Sequence, residues 1–407
     1  MWLKAGDGTV ATIDLRHQAA LSEVVTLVAA GTAGTRSQLA AATGMSRATV
    51  SQRVDTLIAA GLLLDGDPAA AARGRPPLTL RLNPRTGTVC AVDLGATHCR
   101  ILITGLGGEP LAENAVAIDI AEGPAAILSR VDTELRALLE QSGRRPEEVR
   151  AISMGVPGPV DFATGTPVRP PIMPGWDGYP VPSFFAGRYD APVLVDNDVN
   201  LMALGEYAHR PGVRHLLYVK VGTGIGCGIV SDGQLHRGAA GAAGDIGHVR
   251  VPGHEDVPCH CGNTGCIEAV ASGGALVATL RAAGCDVSST RDVVRLGSEG
   301  NPLARRQVRL AGQRLGEVLA TAVSFHNPDL IVLGGSLAEL HEDLLAEIRG
   351  VVYRRALPLA TRSLAIETSL LAGRSGVEGA SRLALRHLLS PPGLARLLEQ
   401  SATRAAG

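Results

Sequence analysis

Hydrophobic residues recur at helical spacing near the amino end of the chain and as short unbroken runs after residue 88. In residues 17–30, Leu21, Val24, Val25 and Val28 fall on one face, which predicts a helix. Residues 35–43 predict a short second helix stopped by Gly44, a typical helix terminator. Ser46 caps a third helix, 47–58, which closes at Gly61 and turns Val50, Val54, Leu57 and Ile58 inward. Short helix, glycine turn and capped helix make a helix-turn-helix pattern. Residues 62–64 and 78–82 read as short strands around the basic loop Arg73-Gly74-Arg75-Pro76-Pro77, and so as a wing.

After Asn83-Pro84, strand and helix patterns alternate. Residues 89–97 form an apolar strand running into a turn of small residues, followed by strands at 101–104 and 111–118. A helix at 124–139 and a strand at 149–156 come next. The proline-rich stretch 167–182, which carries Trp176, is long enough for a lid or a ligand-facing loop. A strand at 193–198 ends in Asp196-Asn197-Asp198 and leads into a helix through residue 209. The second half opens with a strand at 216–221 and a glycine-rich stretch at 222–230. Helices at 269–283 and 303–325 precede a buried strand, 330–333, that enters Gly334-Gly335-Ser336. The expected class is α/β: a winged helix-turn-helix with its linker over 1–86, a second domain over 87–390 and a tail over 391–407.

With 407 residues, 45% of them hydrophobic and 19% charged, the chain fits a globular protein of two or three domains. No apolar run reaches the ~18 residues of a membrane span. The first residues lack the apolar core of a signal peptide. A cytoplasmic location with no membrane partner is expected. Residues 1–88 carry nine Arg and Lys against six Asp and Glu, a net +3 in a chain of net −1. Arg47, Thr49, Ser51, Gln52 and Arg53 on the third helix are placed to face a major groove, where Arg reads guanine and Gln adenine. Arg75 would add a phosphate or minor-groove contact from the wing. The plain alternative is a three-helix bundle with a solvated polar face; the basic wing favours double-stranded DNA. Lysine occurs only at positions 4 and 220, a bias from which no function is drawn.

The densest chemistry lies between Asp245 and Glu268. Cys259, Cys261 and Cys266 place three thiols in eight residues, with Asp245-Ile246-Gly247-His248 upstream. Zinc takes such a tetrahedral set of soft and borderline ligands. Gly262 and Gly265 let the backbone turn tightly enough to return Cys266 to the other two. A disulfide does not suit a reduced cytosol. Burial as small apolar side chains accounts for Cys90, Cys99, Cys227 and Cys285 but not for this clustering. His248 is preferred as the fourth ligand over His254 and over His260, which sits between two cysteines and should point away.

These residues carry a resemblance. The glycine-rich stretch from Gly222 to Gly228, the segment from Gly238 through Gly247-His248, and Cys259-x-Cys261-Gly-x-x-Gly-Cys266-x-Glu268 resemble the repressor, open-reading-frame and kinase (ROK) family over residues 87–390. The resemblance implies a two-lobed, actin-like ATPase (ribonuclease-H-like) fold. It implies a structural zinc on His248, Cys259, Cys261 and Cys266. It also implies that Asn197, Asp198, Asp245, His248 and Glu268 bond the hydroxyls of a sugar or sugar phosphate. The amino-terminal winged helix is the mark of the regulator branch, which implies a sugar-responsive repressor acting as a homodimer or homotetramer.

The other branch consists of ATP-dependent sugar kinases, in which Asp198 would be the catalytic base. The resemblance places nucleotide at Asp93, Gly95 and Thr97, at Gly222, Thr223 and Gly224, and at Gly334 and Gly335. Two departures count against kinase activity. Ala96 stands where the kinases have glycine, adding a methyl where backbone approaches phosphate. Asp245 stands where the family usually has Glu, which withdraws a carboxylate from the sugar. A more ordinary role for Asp198 is to cap the helix that follows it.

Overall fold

The structure, a computed structural model, describes residues 8–68 and 78–406. Three helices come first: α1 (Gly8–Ala29), α2 (Arg36–Thr43) and α3 (Arg47–Ala59). Leu21, Val24, Val25 and Val28 of α1 meet Leu39, Val50, Val54 and Leu57 in one buried cluster. Thr35 and Ser46 cap α2 and α3 by accepting hydrogen bonds from the Gln38 and Thr49 amides. Strands β1 (Leu63–Pro68) and β2 (Leu78–Leu82) pair antiparallel, with Leu63 opposite Leu82. Arg36 ties this unit together through ion pairs of 3.0 Å to Asp55 on α3 and to Asp65 on β1. The loop between the strands, with Arg73 and Arg75, lies outside the described residues.

Two five-stranded sheets follow. The first contains β3 (Thr88–Leu94), β4 (His98–Gly105), β5 (Pro110–Ala117) and β6 (Val149–Val156). After α4 (Pro124–Gln141), the short hairpin β7 (Val160–Asp161) and β8 (Thr166–Pro167), and α5 (Val181–Phe185), β9 (Val193–Asn197) completes it in the order β5-β4-β3-β6-β9. Helix α6 (Asp198–Tyr207) then leads to β10 (Leu216–Val221), β11 (Ile225–Ser231) and β12 (Gln234–His236). These join β13 (Leu330–Gly334) and β14 (Ala365–Thr368) in the order β12-β11-β10-β13-β14. The same topology therefore occurs twice: an antiparallel meander whose first strand pairs in parallel with a later strand, which pairs in parallel with another. The outer face of the second sheet is covered by helices α7 (Ile267–Ala271), α8 (Gly273–Ala282), α9 (Thr290–Ser298), α10 (Pro302–His326) and α11 (His341–Arg355), with α12 (Pro358–Thr361) beside them.

Between the sheets lie α6 and α13 (Ser375–Leu389). Val199, Met202 and Ala203 of α6 pack on Leu216, Tyr218 and Val332 of the second sheet. Leu201 and Leu204, on its other face, pack with Val377, Ala380 and Leu383 of α13 and with Ala91 and Leu102 of the first sheet. The two helices cross at Gly205 and Gly379, where backbone meets backbone: a Cβ on Gly379 would overlap the Leu201 carbonyl oxygen. Helix α14 (Pro391–Ala406) occupies the segment expected as a tail. Its Leu394 and Leu397, with Leu388 and Leu389 of α13, enter the same cluster as the amino-terminal helices. The Ser22 hydroxyl donates to the Leu389 carbonyl at 2.5 Å.

Three local expectations need correction. The stretch 167–182 is no free lid, because Trp176 is fully buried in the first sheet's core and donates through Nε1 to the Ile120 carbonyl at 3.3 Å. The single helix expected at 269–283 is two, broken where Ser272 ends α7 and caps α8. Asn197, rather than Asp198, caps α6, accepting hydrogen bonds from the amides of Val199 and Asn200. No described helix is long and apolar enough to cross a membrane.

The crossing of α6 and α13 can be tested. Gly379→Ala should lower the thermal midpoint of the protein by several degrees, at or above the top of the ~1–3 kcal/mol usual for overpacking. Calorimetry beside an exposed control such as Ala282→Gly checks this.

Candidate metal centre and ligand cleft

The loop after β12 folds back over the second sheet. A single 3₁₀ turn at Ile246–His248 presents His248, and bridges from Arg250 to Cys266 and from Pro258 to Thr264 close a small knuckle beyond it. Gly262 and Gly265 take positive φ of 91° and 74°, a geometry costly for any residue with a Cβ. The result brings His248, Cys259, Cys261 and Cys266 together, their ligand atoms all within 4.8 Å of one another. His248 Nδ1 is 3.6 Å from Cys259 Sγ, and Cys261 Sγ is 3.7 Å from Cys266 Sγ. A tetrahedron with metal–sulfur bonds of ~2.3 Å has edges of about 3.8 Å, so the residues fit such an ion. His260 is exposed and outside the cluster. His248 Nε2, on the far side of the ring, is 3.9 Å from Asp245 Oδ1. One ring nitrogen therefore faces the thiols and the other faces a carboxylate.

The remaining expected ligand residues surround the turn between β10 and β11. Glu268, at the start of α7, accepts the Ile225 amide through Oε2 at 3.0 Å and lies against Gly224, where a Cβ would come within 2.6 Å. Its carboxylate therefore helps to hold that turn. On the other side, Asn197 donates through Nδ2 to the Gly158 carbonyl at 3.0 Å while capping α6. Asp198 is buried; one oxygen accepts its neighbour's amide, and the other meets Lys220 Nζ at 2.5 Å. Asp196, behind them, holds Arg237 at 2.7 Å, and that guanidinium stacks 3.8 Å over the Phe162 ring. Lys220, Asp196 and Arg237 were not singled out from the sequence.

The two glycine turns end equivalent strands. At the first, Asp93 is buried with Oδ1 unpartnered, and Gly376 of α13 presses against its carboxylate. Burial, then the Asp198 charge, push its pKa up to about 7 against the pull of Lys220 and Arg100. The His98 ring lies directly over Gly95, beside Ala96 and Thr97. At the second turn, the Gly222 and Thr223 carbonyls accept the amides of Gly273 and Gly274 at the start of α8. Gly335, at φ 83°, brings the Gly334-Gly335 turn against Val221. Burial works against the Lys220 charge, yet Asp198, Asp93 and Glu268 hold its pKa above the ordinary lysine value.

On α3, Arg47 and Gln52 are exposed, Thr49 and Ser51 half-buried. Arg53 is half-buried and donates to the His17 carbonyl of α1 at 3.4 Å.

Two equivalent sheets sharing a helical layer, each with a glycine turn after its first strand, define an actin-like α/β fold. The chain belongs to the ROK family, which matches residues 89–387. The xylose repressor of Caldicellulosiruptor bescii is 28% identical to it, across 88% of this chain and 93% of that protein. A ROK family transcriptional regulator, a homologue of the E. coli Mlc protein, aligns over 94% of this chain and 99% of its own with a TM-score of 0.80 at 24% identity. The ROK glucokinase of Streptomyces griseus, solved with glucose and AMPPNP, aligns over 73% of this chain and 99% of its own, with a TM-score of 0.64 at 28% identity.

The buried carboxyl at the first turn predicts a pH effect. Its pKa is raised on folding, so the folded state holds this proton more tightly than the unfolded chain. Stability from that source is present at low pH and lost as pH rises toward about 7. Asp93→Asn should therefore gain stability relative to the parent between about pH 5 and pH 8. Parallel thermal melts across that range check the sign.

Proposed function

We propose that this chain is a sugar-responsive transcriptional regulator, a repressor of carbohydrate genes. The observation that carries the reading is one continuous core joining the three-helix unit to α13 and α14, helices of the lobed domain. Helix α3 presents Arg47 and Gln52 to operator DNA, with Thr49 and Ser51 beside them, and the strand pair β1–β2 acts as the wing from which Arg75 reaches the backbone. A dimer or dimer of dimers on a palindrome suits a reader of this size. The effector is a sugar or sugar phosphate held by Asn197, Asp198, Asp245, His248 and Glu268. The ion on His248, Cys259, Cys261 and Cys266 is zinc. It fixes the knuckle and orients His248, whose Nε2 then serves the ligand side.

The carbohydrate-kinase reading is supported by the family's glucokinases and by the two glycine turns. Ala96 and the added amino-terminal unit favour the regulator. Among the expected nucleotide contacts, the His98 ring also occupies the space over Gly95.

The metal, the effector and the DNA contact each have an expected outcome. Purified protein should carry about one zinc per chain, and Cys261→Ser should lose most of it; metal analysis decides, and full occupancy would remove Cys261 from the site. In a panel of pentoses, hexoses and their phosphates, one should raise the thermal midpoint, by the equivalent of ~2.7 kcal/mol at a hundred times its Kd. The same sugar should shift a titration of the chain against DNA upstream of carbohydrate genes, and Gln52→Ala should relax preference at one base position. A chain that no sugar stabilises and that shows no sequence preference on DNA is not such a regulator.

A further inference from the structure

Lys220 has an equivalent in the first sheet. Asp93 is the next-to-last residue of β3, and Lys220 is the next-to-last residue of β10. Each pairs with a glycine in the parallel neighbouring strand, Asp93 with Gly155 and Lys220 with Gly334. The two lobes thus deliver a carboxylate and an ammonium from matching places beside the two glycine turns. Leu216 and Tyr218, on the same face of β10 as Lys220, pack under α6. An apolar residue would continue that row; instead the lysine stem runs past Gly222, whose Cβ would lie 3.7 Å from Cε, and carries the charge to Asp198.

The charged groups around the ammonium come from four elements. Asp93 lies on β3, Asp198 on α6 and Glu268 on α7, while β4 supplies His98 and Arg100. Arg100 is already paired with Glu113 at 2.7 Å. His98, whose pKa burial lowers, stands with Nε2 4.0 Å from Asp93 Oδ2, so Lys220 is the permanent cation bonded to Asp198 among the described residues. Two carboxylates beside phosphate-sized glycine turns are what a divalent metal would otherwise require.

We infer that Lys220 is a built-in counter-ion to Asp198, standing where a divalent cation would sit beside the two glycine turns, so that the site takes its ligand without Mg²⁺. Among the described residues its ammonium donates only to Asp198, and its side chain is 18% exposed. Two N–H donors are therefore left for an oxygen of a neutral polyol such as a sugar. A fixed +1 charge repels an incoming +2 ion and occupies the Asp198 oxygen that a base would use. The inference rests on the sugar reading of Asp198, but its test does not require that reading to hold.

The probe is Mn²⁺, followed by electron paramagnetic resonance on the full zinc-loaded chain. The parent should bind Mn²⁺ no tighter than roughly millimolar, as weak carboxylate sites do. Lys220→Met should bind one Mn²⁺ at least tenfold tighter, Lys220→Gln likewise, and Lys220→Arg should match the parent. Adding Asp198→Asn to Lys220→Met should abolish the gain. Zinc content and the thermal transition verify folding of each variant. The inference is overturned if the parent already holds a tight Mn²⁺ that Asp198→Asn removes, a result that needs no Lys220 variant. It is equally overturned if a folded Lys220→Met or Lys220→Gln binds Mn²⁺ no better than the parent. A Mn²⁺ gain in a chain that no sugar stabilises would leave the counter-ion in place and sink only the sugar reading.

Discussion

Everything in the lobed domain depends on how closely α6 and α13 approach. They form one layer between two sheets, and that layer must serve both at once. Gly205 and Gly379 let the backbones touch, so that Leu201 and Leu204 reach one sheet while Val199 and Met202 reach the other. Close packing of this kind does not deform gradually. Residues carried on the first turn of α6, Asn197 and Asp198, are therefore positioned by the same contact that sets the two lobes.

The knuckle at Cys259–Cys266 works by a different physical route. It holds few buried apolar side chains, so hydrophobic burial cannot give it a fixed shape. Four clustered donors and two left-handed glycines can. Because His248 faces the thiols through Nδ1 and Asp245 through Nε2, ordering the metal side also orders the cleft side. Glu268 adds a third tie by bonding the Ile225 amide across the β10–β11 turn.

Much of this was legible in the sequence where a signal is local. The apolar face of α1, the Gly44 stop, the Ser46 cap and the cysteine spacing all act within a few residues, and the structure places them together. Helices α9, α11, α13 and α14 went unassigned, although α9, α13 and α14 carry an amphipathic period as clear as that of α4. Trp176 sits in a proline-rich stretch that looks loop-like, and only the tertiary core shows why it is buried. Asn197 took the cap from Asp198 because its amide side chain can accept two helix amides and still donate to Gly158. Lys220 had a signal that was passed over. A lysine inside the apolar run Leu216-Leu217-Tyr218-Val219-Lys220-Val221 must find a buried partner, and the partner lies 22 residues upstream.

The shared core of α1, α13 and α14 also bears on the order in which the chain is made. Residues of the amino-terminal helices leave the ribosome well before Leu388, Leu394 and Leu397, which complete their core. For most of translation, Leu21, Val24 and Val25 lack part of the surface that finally covers them. The amino-terminal helical unit is thus finished only after both sheets have been synthesised, and a polypeptide lacking α14 leaves that core open.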